Sequence, residues 1–198
     1  MKRTARAALA NRDALLEVLR RVLPAGGTVL ELGSGTGEHA VHLARHLPRL
    51  VWQPSDPDPQ ARDSIAAWAA EARLPNLRPP LHLDLEVTTW WRQRADALLC
   101  ANVLHVAPPE AQEWLLAGAE RVLPPGGPLL VLGPFHAGGG PMTASLADLD
   151  RRLRATSPSL GVRDADELER AAAAHGLAPV ERVPMPGGDL LLVLRRGP

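Results

Sequence analysis

Between residues 4 and 23, Leu9, Leu15, Leu16, Leu19, Val22 and Leu23 recur near helical spacing with arginine and glutamate between them, and Pro24-Ala25-Gly26-Gly27 ends the run. This pattern predicts an amphipathic first helix. Thr28 to Leu32 is short, apolar and bounded by glycines, so it predicts a buried strand that enters a glycine-rich turn. Glu38 to Leu47 returns to helical spacing and stops before Pro48.

The same alternation continues. Leu50 to Pro54 predicts a second strand, and a helix follows from Pro59 to Ala72, with Asp58 placed to cap it and Pro59 suited to its first position. Leu81 to Leu85 predicts a third strand, Ala95 to Ala101 a fourth, Glu110 to Leu123 a helix, and Leu129 to Leu132 a fifth strand. The segment 133–141, Gly-Pro-Phe-His-Ala-Gly-Gly-Gly-Pro, is too rich in breakers for an element and long enough for a lid. Helices at about 143–155 and 165–174 follow, the second stopped by Gly176, and the chain closes with strands 178–183 and 190–195 around Pro186-Gly187-Gly188.

Strands alternating with helices imply an α/β protein: a mostly parallel, seven-stranded sheet with helices on both faces and an antiparallel C-terminal hairpin. At 198 residues the chain fits one domain, residues 1–198. Its single cysteine, Cys100, excludes an internal disulfide and fits a reducing compartment. Lysine plus arginine equals aspartate plus glutamate at 22 each, so the domain lacks the positive field expected of a nucleic-acid binder. No apolar run reaches the roughly 18 residues of a membrane span, and the start lacks a signal-peptide core, so a cytoplasmic protein without a membrane partner is expected. Tyrosine is absent and is excluded from any role.

A parallel strand buried on both faces should be apolar throughout, yet Glu31 lies inside the first one. Two residues later Gly33-Ser34-Gly35-Thr36-Gly37 forms a turn that lets backbone approach a ligand and offers helix N–H groups to an anion. Asp56 stands 23 residues after Gly33, near the roughly 20-residue offset at which a carboxylate receives both ribose hydroxyls. Asp84 and Leu85, at the third strand's end, offer a carboxylate and a backbone N–H to an adenine ring. These positions ask for a nucleoside with a charged tail, either a nicotinamide dinucleotide or S-adenosylmethionine. Gly35 to Ala40 matches the dinucleotide register, but Glu38 at the helix start repels pyrophosphate and suits an amino-acid ammonium, which favours the sulfonium ligand.

In order, Val29 to Gly37, Asp56, Leu83-Asp84-Leu85, Asn102-Val103-Leu104-His105 and Leu123 to Gly127 resemble the motifs of class I S-adenosylmethionine-dependent methyltransferases over essentially the whole chain. Trp52 to Asp58, Asn102 to Pro108, Gly133-Pro134-Phe135 and Gly161-Val162-Arg163-Asp164 are most similar to a small subgroup known only as a domain of unknown function, which includes methyltransferase-like protein 26. The resemblance implies the Rossmann-like class I fold. It implies contacts from Glu31 and the Gly33–Gly37 loop to the methionine part, from Asp56 to the ribose and from Asp84-Leu85 to the adenine. It also makes Asn11-Arg12, which is similar to an Arg-Asn pair on the subgroup's first helix, a cofactor-side pair. Ser145-Leu146, Leu160 and Gly187-Gly188-Asp189 depart from the subgroup's pattern, all in the C-terminal half expected to hold the acceptor.

A sulfonium methyl group is already activated, so positioning is the main catalytic task, and a base is needed only if the acceptor must lose a proton. His105, just beyond the fourth strand, is the leading candidate base and His136 the second. Asn102 is placed to orient the methionine tail or the acceptor. His39, His42 and His46 share a helix face but lack a carboxylate partner, so a solvated stripe and no metal is expected, and Cys100 reads as a core thiol. Trp68 and Trp114 are expected in the core, while Trp90-Trp91 fit either an acceptor wall or a cover for the sheet edge. The expected activity is methyl transfer to a small molecule by a monomer or homodimer. The alternatives are an NAD-dependent oxidoreductase and a non-catalytic cofactor-binding protein.

Overall fold

The apolar stretch Gly27–Leu32 (β1) pairs parallel with Leu50–Ser55 (β2) on one side and with Ala97–Ala101 (β3) on the other in the computed structural model, which describes residues 2–198. Pro128–Gly133 (β4) pairs parallel with β3, and the order β2-β1-β3-β4-β8-β7 completes a six-stranded sheet. In it Leu190–Arg196 (β8) runs antiparallel between β4 and Leu177–Pro184 (β7).

Side chains alternate across each strand, and this divides the core in two. Leu30, Leu98, Leu129 and Leu194 face Ala111–Val122 (α4) and Ala165–Ala174 (α6). Val29, Leu99, Leu130 and Val193 face Arg6–Val22 (α1) and Glu38–His46 (α2). Apolar positions on both faces explain why these strands read as unbroken hydrophobic runs. Pro59–Ala72 (α3) packs beside α2 and is capped by the Asp58 carboxylate, which accepts from the Gln60 N–H.

The expected third strand at residues 81–85 does not form, so the sheet has six strands rather than seven. Two isolated bridges, Trp52 to Leu77 and Ser55 to Leu81, mark where it would lie beside β2. Pro79 and Pro80, without an N–H, interrupt the ladder before Leu81, and β2 ends at Ser55 beside it, so residues 82–85 have no strand to pair with. The expected lid is also partly ordered: Phe135–His136 (β5) pairs parallel with Arg163–Asp164 (β6), leaving Gly138 to Gly140 as the loop. Ala144–Thr156 (α5) follows that loop and buries no residue fully.

The tryptophans separate. Trp90 is fully buried, as a core residue, and its indole donates to the Leu85 carbonyl. Trp68 is not core: its ring lies under the Lys2 ammonium at 3.9 Å and its indole donates to the Arg3 carbonyl, anchoring the chain before α1. A Cβ at Gly118 on α4 would lie 1.9 Å from the Trp90 ring, so only glycine admits this close approach. Gly118→Ala is therefore expected to cost about 1–3 kcal/mol by overpacking, read as a lower urea midpoint with an unchanged slope.

Candidate functional site

Because β1, β2, β3 and β4 are parallel, their carboxyl ends meet at one rim, where Gly33, Asp56, Asn102 and the terminal Gly133 stand together. The turn leaving β1 places Gly33, Gly35 and Gly37 at positive φ, a conformation that glycine adopts without a steric cost. Two of these glycines are also enforced by packing: a Cβ at Gly33 would lie 2.5 Å from Val103 Cγ2, and one at Gly37 2.8 Å from the Ile65 backbone. Nothing stands within 4 Å of the same position at Gly35. That opening lies where a ligand backing onto the turn needs it.

Asp56 is buried, and its two carboxylate oxygens accept from the Gly35 N–H at 2.8 Å and the Asp58 N–H at 2.9 Å. An ionised carboxylate has about four acceptor positions, so each oxygen keeps capacity for a ligand hydroxyl. Beside this pair a cavity of about 340 Å³ is lined by Gly33, Leu83, Asp84, Leu85, Val103 and Trp114, among others. Its walls are mainly aliphatic, with Asp84 as a polar edge, and its volume lies in the usual range for small-ligand clefts. Asp84 Oδ1 accepts from the Glu86 N–H at 3.1 Å, which fixes the carboxylate at the turn. Asn102 sits at φ 60, a left-handed conformation that asparagine tolerates better than most residues, with its N–H bonded to the Leu132 carbonyl. The open face of Gly35, the Asp56 oxygens and the aliphatic cavity together match the donors and surfaces of an adenosyl ligand.

Other expected contacts fall elsewhere. Glu31 is sealed beneath the turn at 1% exposure, where Oε2 accepts from the Trp52 indole at 2.7 Å and its carbonyl accepts from the Ser55 hydroxyl. Burial pushes its carboxyl up to about 7, against the bonds from Trp52 and Ser34 and with the Asp56 charge adding to the rise. Ser34 is likewise turned inward, its hydroxyl accepting from the Ser55 N–H and its own N–H donating to the Ser55 carbonyl. Glu38, invoked as a partner for an amino-acid tail, instead accepts from the Ala5 N–H and the Thr36 hydroxyl.

Asn11 and Arg12 part company. Asn11 is buried, accepting from the His39 ring at 2.9 Å and donating to Asp189 at 3.3 Å. Arg12 lines a separate hollow on the outer side of α2 with Glu38, His42 and Trp68, away from the cavity. Successive residues on a helix point about 100° apart, so one pair cannot serve one site. His39 is no solvated stripe residue: it is 7% exposed, and burial drives its imidazole down to about 4, helped by the nearby His42 and Arg12 charges. Cys100 is a core thiol pushed up to about 12 by burial.

His105 lies on the single 3-10 turn Leu104–Val106 after β3. A Cβ at Gly133 would lie 3.7 Å from His105 Nδ1 and from the Phe135 ring, so the imidazole stands over the end of β4. Burial, then the Arg163 charge, lowers its pKa to about 4. His136 sits one strand away on β5, opposite Asp164. The sequence reading missed the wall that residues 103–108 supply to the cavity; the apolar Val103, Val106 and Ala107 beside His105 were the available signal.

Residues 2–196 match the family of proteins of unknown function designated DUF938, and the chain belongs to that family. Its structure is similar to an O-methyltransferase family protein from Burkholderia thailandensis, with a TM-score of 0.77 at 22% identity over 94% of this chain and 58% of that one. It is also similar to the S-adenosylmethionine-dependent methyltransferase SibL, with a TM-score of 0.75 at 26% identity over 97% of this chain and 56% of that one. The mitomycin 7-O-methyltransferase MmcR gives 0.79 at 17% identity over 96% and 54%. The chain thus spans a little over half the length of these proteins and shares their α/β methyltransferase fold. Among the described residues no helix is long and apolar enough to cross a membrane.

The buried titratable groups set a pH dependence. Glu31 binds its proton more tightly folded than unfolded, so its contribution is full below about pH 4.5 and is lost as pH rises to about 7. His39 and His105 have the opposite sign: held neutral in the fold, they oppose folding as pH falls from 6.5 towards 4. Glu31→Gln removes the compensating slope, so urea midpoints of the variant are expected to climb more steeply from pH 4.5 to 7 than those of the parent protein. Parallel curves would show Glu31 to be ionised throughout that range.

Proposed function

We propose that this chain binds S-adenosylmethionine in the cleft above the β1 turn and transfers its methyl group to a small-molecule acceptor. The observation that carries the reading is the Gly35 N–H to Asp56 bond beside an opening at Gly35 and a nucleoside-sized cavity. Asp56 would receive the ribose hydroxyls, Asp84 the adenine amino group and the Leu85 N–H would donate to the ring, with Val103 and Leu83 against its faces. The Gly33 to Gly37 backbone and Asn102 would orient the amino-acid tail, while Glu31 and Ser34 would hold the turn from beneath. Likeness to SibL, described as an S-adenosylmethionine-dependent methyltransferase, supports the cofactor. The motif pattern also supports kinship with the subgroup that includes methyltransferase-like protein 26.

Bound there, the sulfonium supplies an activated methyl group for in-line displacement by the acceptor's nucleophile. Holding that nucleophile in line is worth roughly 7–11 kcal/mol, which makes position rather than proton transfer the larger task. His105 is the proposed base and His136 the second candidate. With its pKa near 4, His105 is proton-free at neutral pH and ready to accept, and its acceptance becomes favourable only as the acceptor's own acidity develops. The balance of 22 basic and 22 acidic residues supports a small molecule rather than a nucleic acid as the partner. A cytoplasmic monomer or homodimer is proposed.

Calorimetry with S-adenosylhomocysteine, S-adenosylmethionine and NAD tests the cofactor: the first two are expected to bind and NAD is not. Binding of NAD alone would assign the site to an oxidoreductase. Asp56→Ala is expected to weaken S-adenosylhomocysteine binding by about 1–3 kcal/mol, and an unchanged dissociation constant would remove Asp56 from the site. In extracts supplied with labelled methyl donor, His105→Ala is expected to cut product formation by a factor of roughly 10²–10⁴, more than it weakens cofactor binding. Equal losses in both would make His105 structural, and no labelled product from the parent protein would favour a non-catalytic binder.

A further inference from the structure

The Gly161-Val162-Arg163-Asp164 segment has no role in the reading above, yet it grips the cavity wall from behind. The Arg163 Nε donates to the Leu104 carbonyl at 3.0 Å, and one terminal nitrogen donates to the Ala107 carbonyl at 2.6 Å and the Ser159 carbonyl at 3.0 Å. Between these two grips the Gly161 N–H donates to the His105 carbonyl at 3.1 Å. Three consecutive-region carbonyls, on Leu104, His105 and Ala107, are thus satisfied by residues 161–163. The turn so held contributes Val103, Val106, Ala107 and Pro108 to the cavity and carries His105.

We propose that Arg163 is a positioning residue: its guanidinium fork fixes the 103–108 turn as a wall of the nucleoside cavity and sets the His105 ring over Gly133. The role in ligand binding rests on the reading of the cavity as an adenosyl site; the role in holding the turn does not. A planar fork reaches carbonyls on two segments at once, which a lysine ammonium on a flexible stem cannot reproduce in the same geometry. The other end of the strut is fixed too. The Val162 N–H donates to Asp150, which also accepts from Arg154, and β6 pairs with β5, the strand that carries His136. The charges around Arg163 are Arg154, Asp150 and Glu110, and its own charge in turn disfavours a proton on His105.

The test uses Arg163→Met and Arg163→Lys in the full chain without ligand, followed by S-adenosylhomocysteine titration. In both variants, amide exchange at Val106 and Ala107 is expected to rise at least tenfold relative to β1 amides. The His105 midpoint, followed by NMR, is expected to move up towards 6.5 in Arg163→Met and by less in Arg163→Lys, which keeps the charge. S-adenosylhomocysteine affinity is expected to fall at least fivefold in Arg163→Met. Turn exchange that rises no more than that of β1 would overturn the proposal, whatever the loss of melting temperature and whatever the His105 midpoint does, because a merely structural arginine lowers stability without selectively loosening the turn and its charge alone moves the midpoint. If neither variant folds, the parent protein decides: slow solvent exchange of the Arg163 Nε–H is expected, and exchange at the rate of the exposed arginines would overturn it. Failure of the parent protein to bind S-adenosylhomocysteine would sink the cofactor reading and leave the exchange result standing.

Discussion

The turn leaving β1 must pass so close to the segment after β3 that a single methyl group at Gly33 would collide with Val103. That constraint fixes more than one residue. With the turn pressed against Val103, its next N–H, on Ser34, reaches the Ser55 carbonyl, and the one after, on Gly35, reaches the Asp56 carboxylate at the end of β2. The ends of β1 and β2 are thereby tied by two N–H donors of the turn, and the segment after β3 is held against them by the Val103 side chain. The carboxylate that would meet a ribose is oriented by the fold before any ligand arrives, so the ordering cost is borne on folding rather than on binding.

Beneath this rim burial disfavours charge on three ionisable groups. Glu31, His39 and His105 are each shifted in the direction that removes charge, and burial is the largest cause in all three. Their hydrogen bonds are arranged for neutral or shared protons: indole to carboxyl at Glu31, and ring to amide oxygen at His39. A cationic tail placed above the turn would alter the balance at Glu31 first, since its carboxyl already sits near neutrality. Burial, not ion pairing, is therefore what sets the protonation of this part of the protein.

Much of the scaffold was legible because periodicity carries it. Strand β1 and helix α3, with its Asp58 cap and Pro59, form where the spacing and capping chemistry place them, since both signals are local. The failures are non-local. Leu81 to Leu85 has strand composition, but β2 ends at Ser55, beside Leu81, and leaves the rest without a partner, which composition cannot reveal. His39 looks like one of three equivalent histidines until α1 covers it and Asn11 claims its ring. Arg12 looks like a partner of Asn11 until helix geometry turns it to the opposite side. The nearness of the Gly33 to Gly37 turn and Asp56 was readable because it depends on chain order at strand ends, which a parallel sheet converts directly into proximity.

The two halves of the rim are held by different means, and this bears on how a cleft of this kind can change its acceptor. On the β1 and β2 side the ties are backbone bonds enforced by glycine, and few substitutions leave them intact. On the β4 side they are side-chain clamps: Arg163 on the 103–108 turn, Asp150 on Val162, Asp166 on Gly138 and Asp189 on Asn11. Helix α5 adds no fully buried residue, so its surface contributes little to the core. Ser145-Leu146, Leu160 and Gly187-Gly188-Asp189 fall in this second region. Substitution there exchanges one clamp or one exposed face while the ties of the β1 and β2 side stay as they are. A rim with one half fixed by backbone and the other by exchangeable side chains follows from where the glycines are.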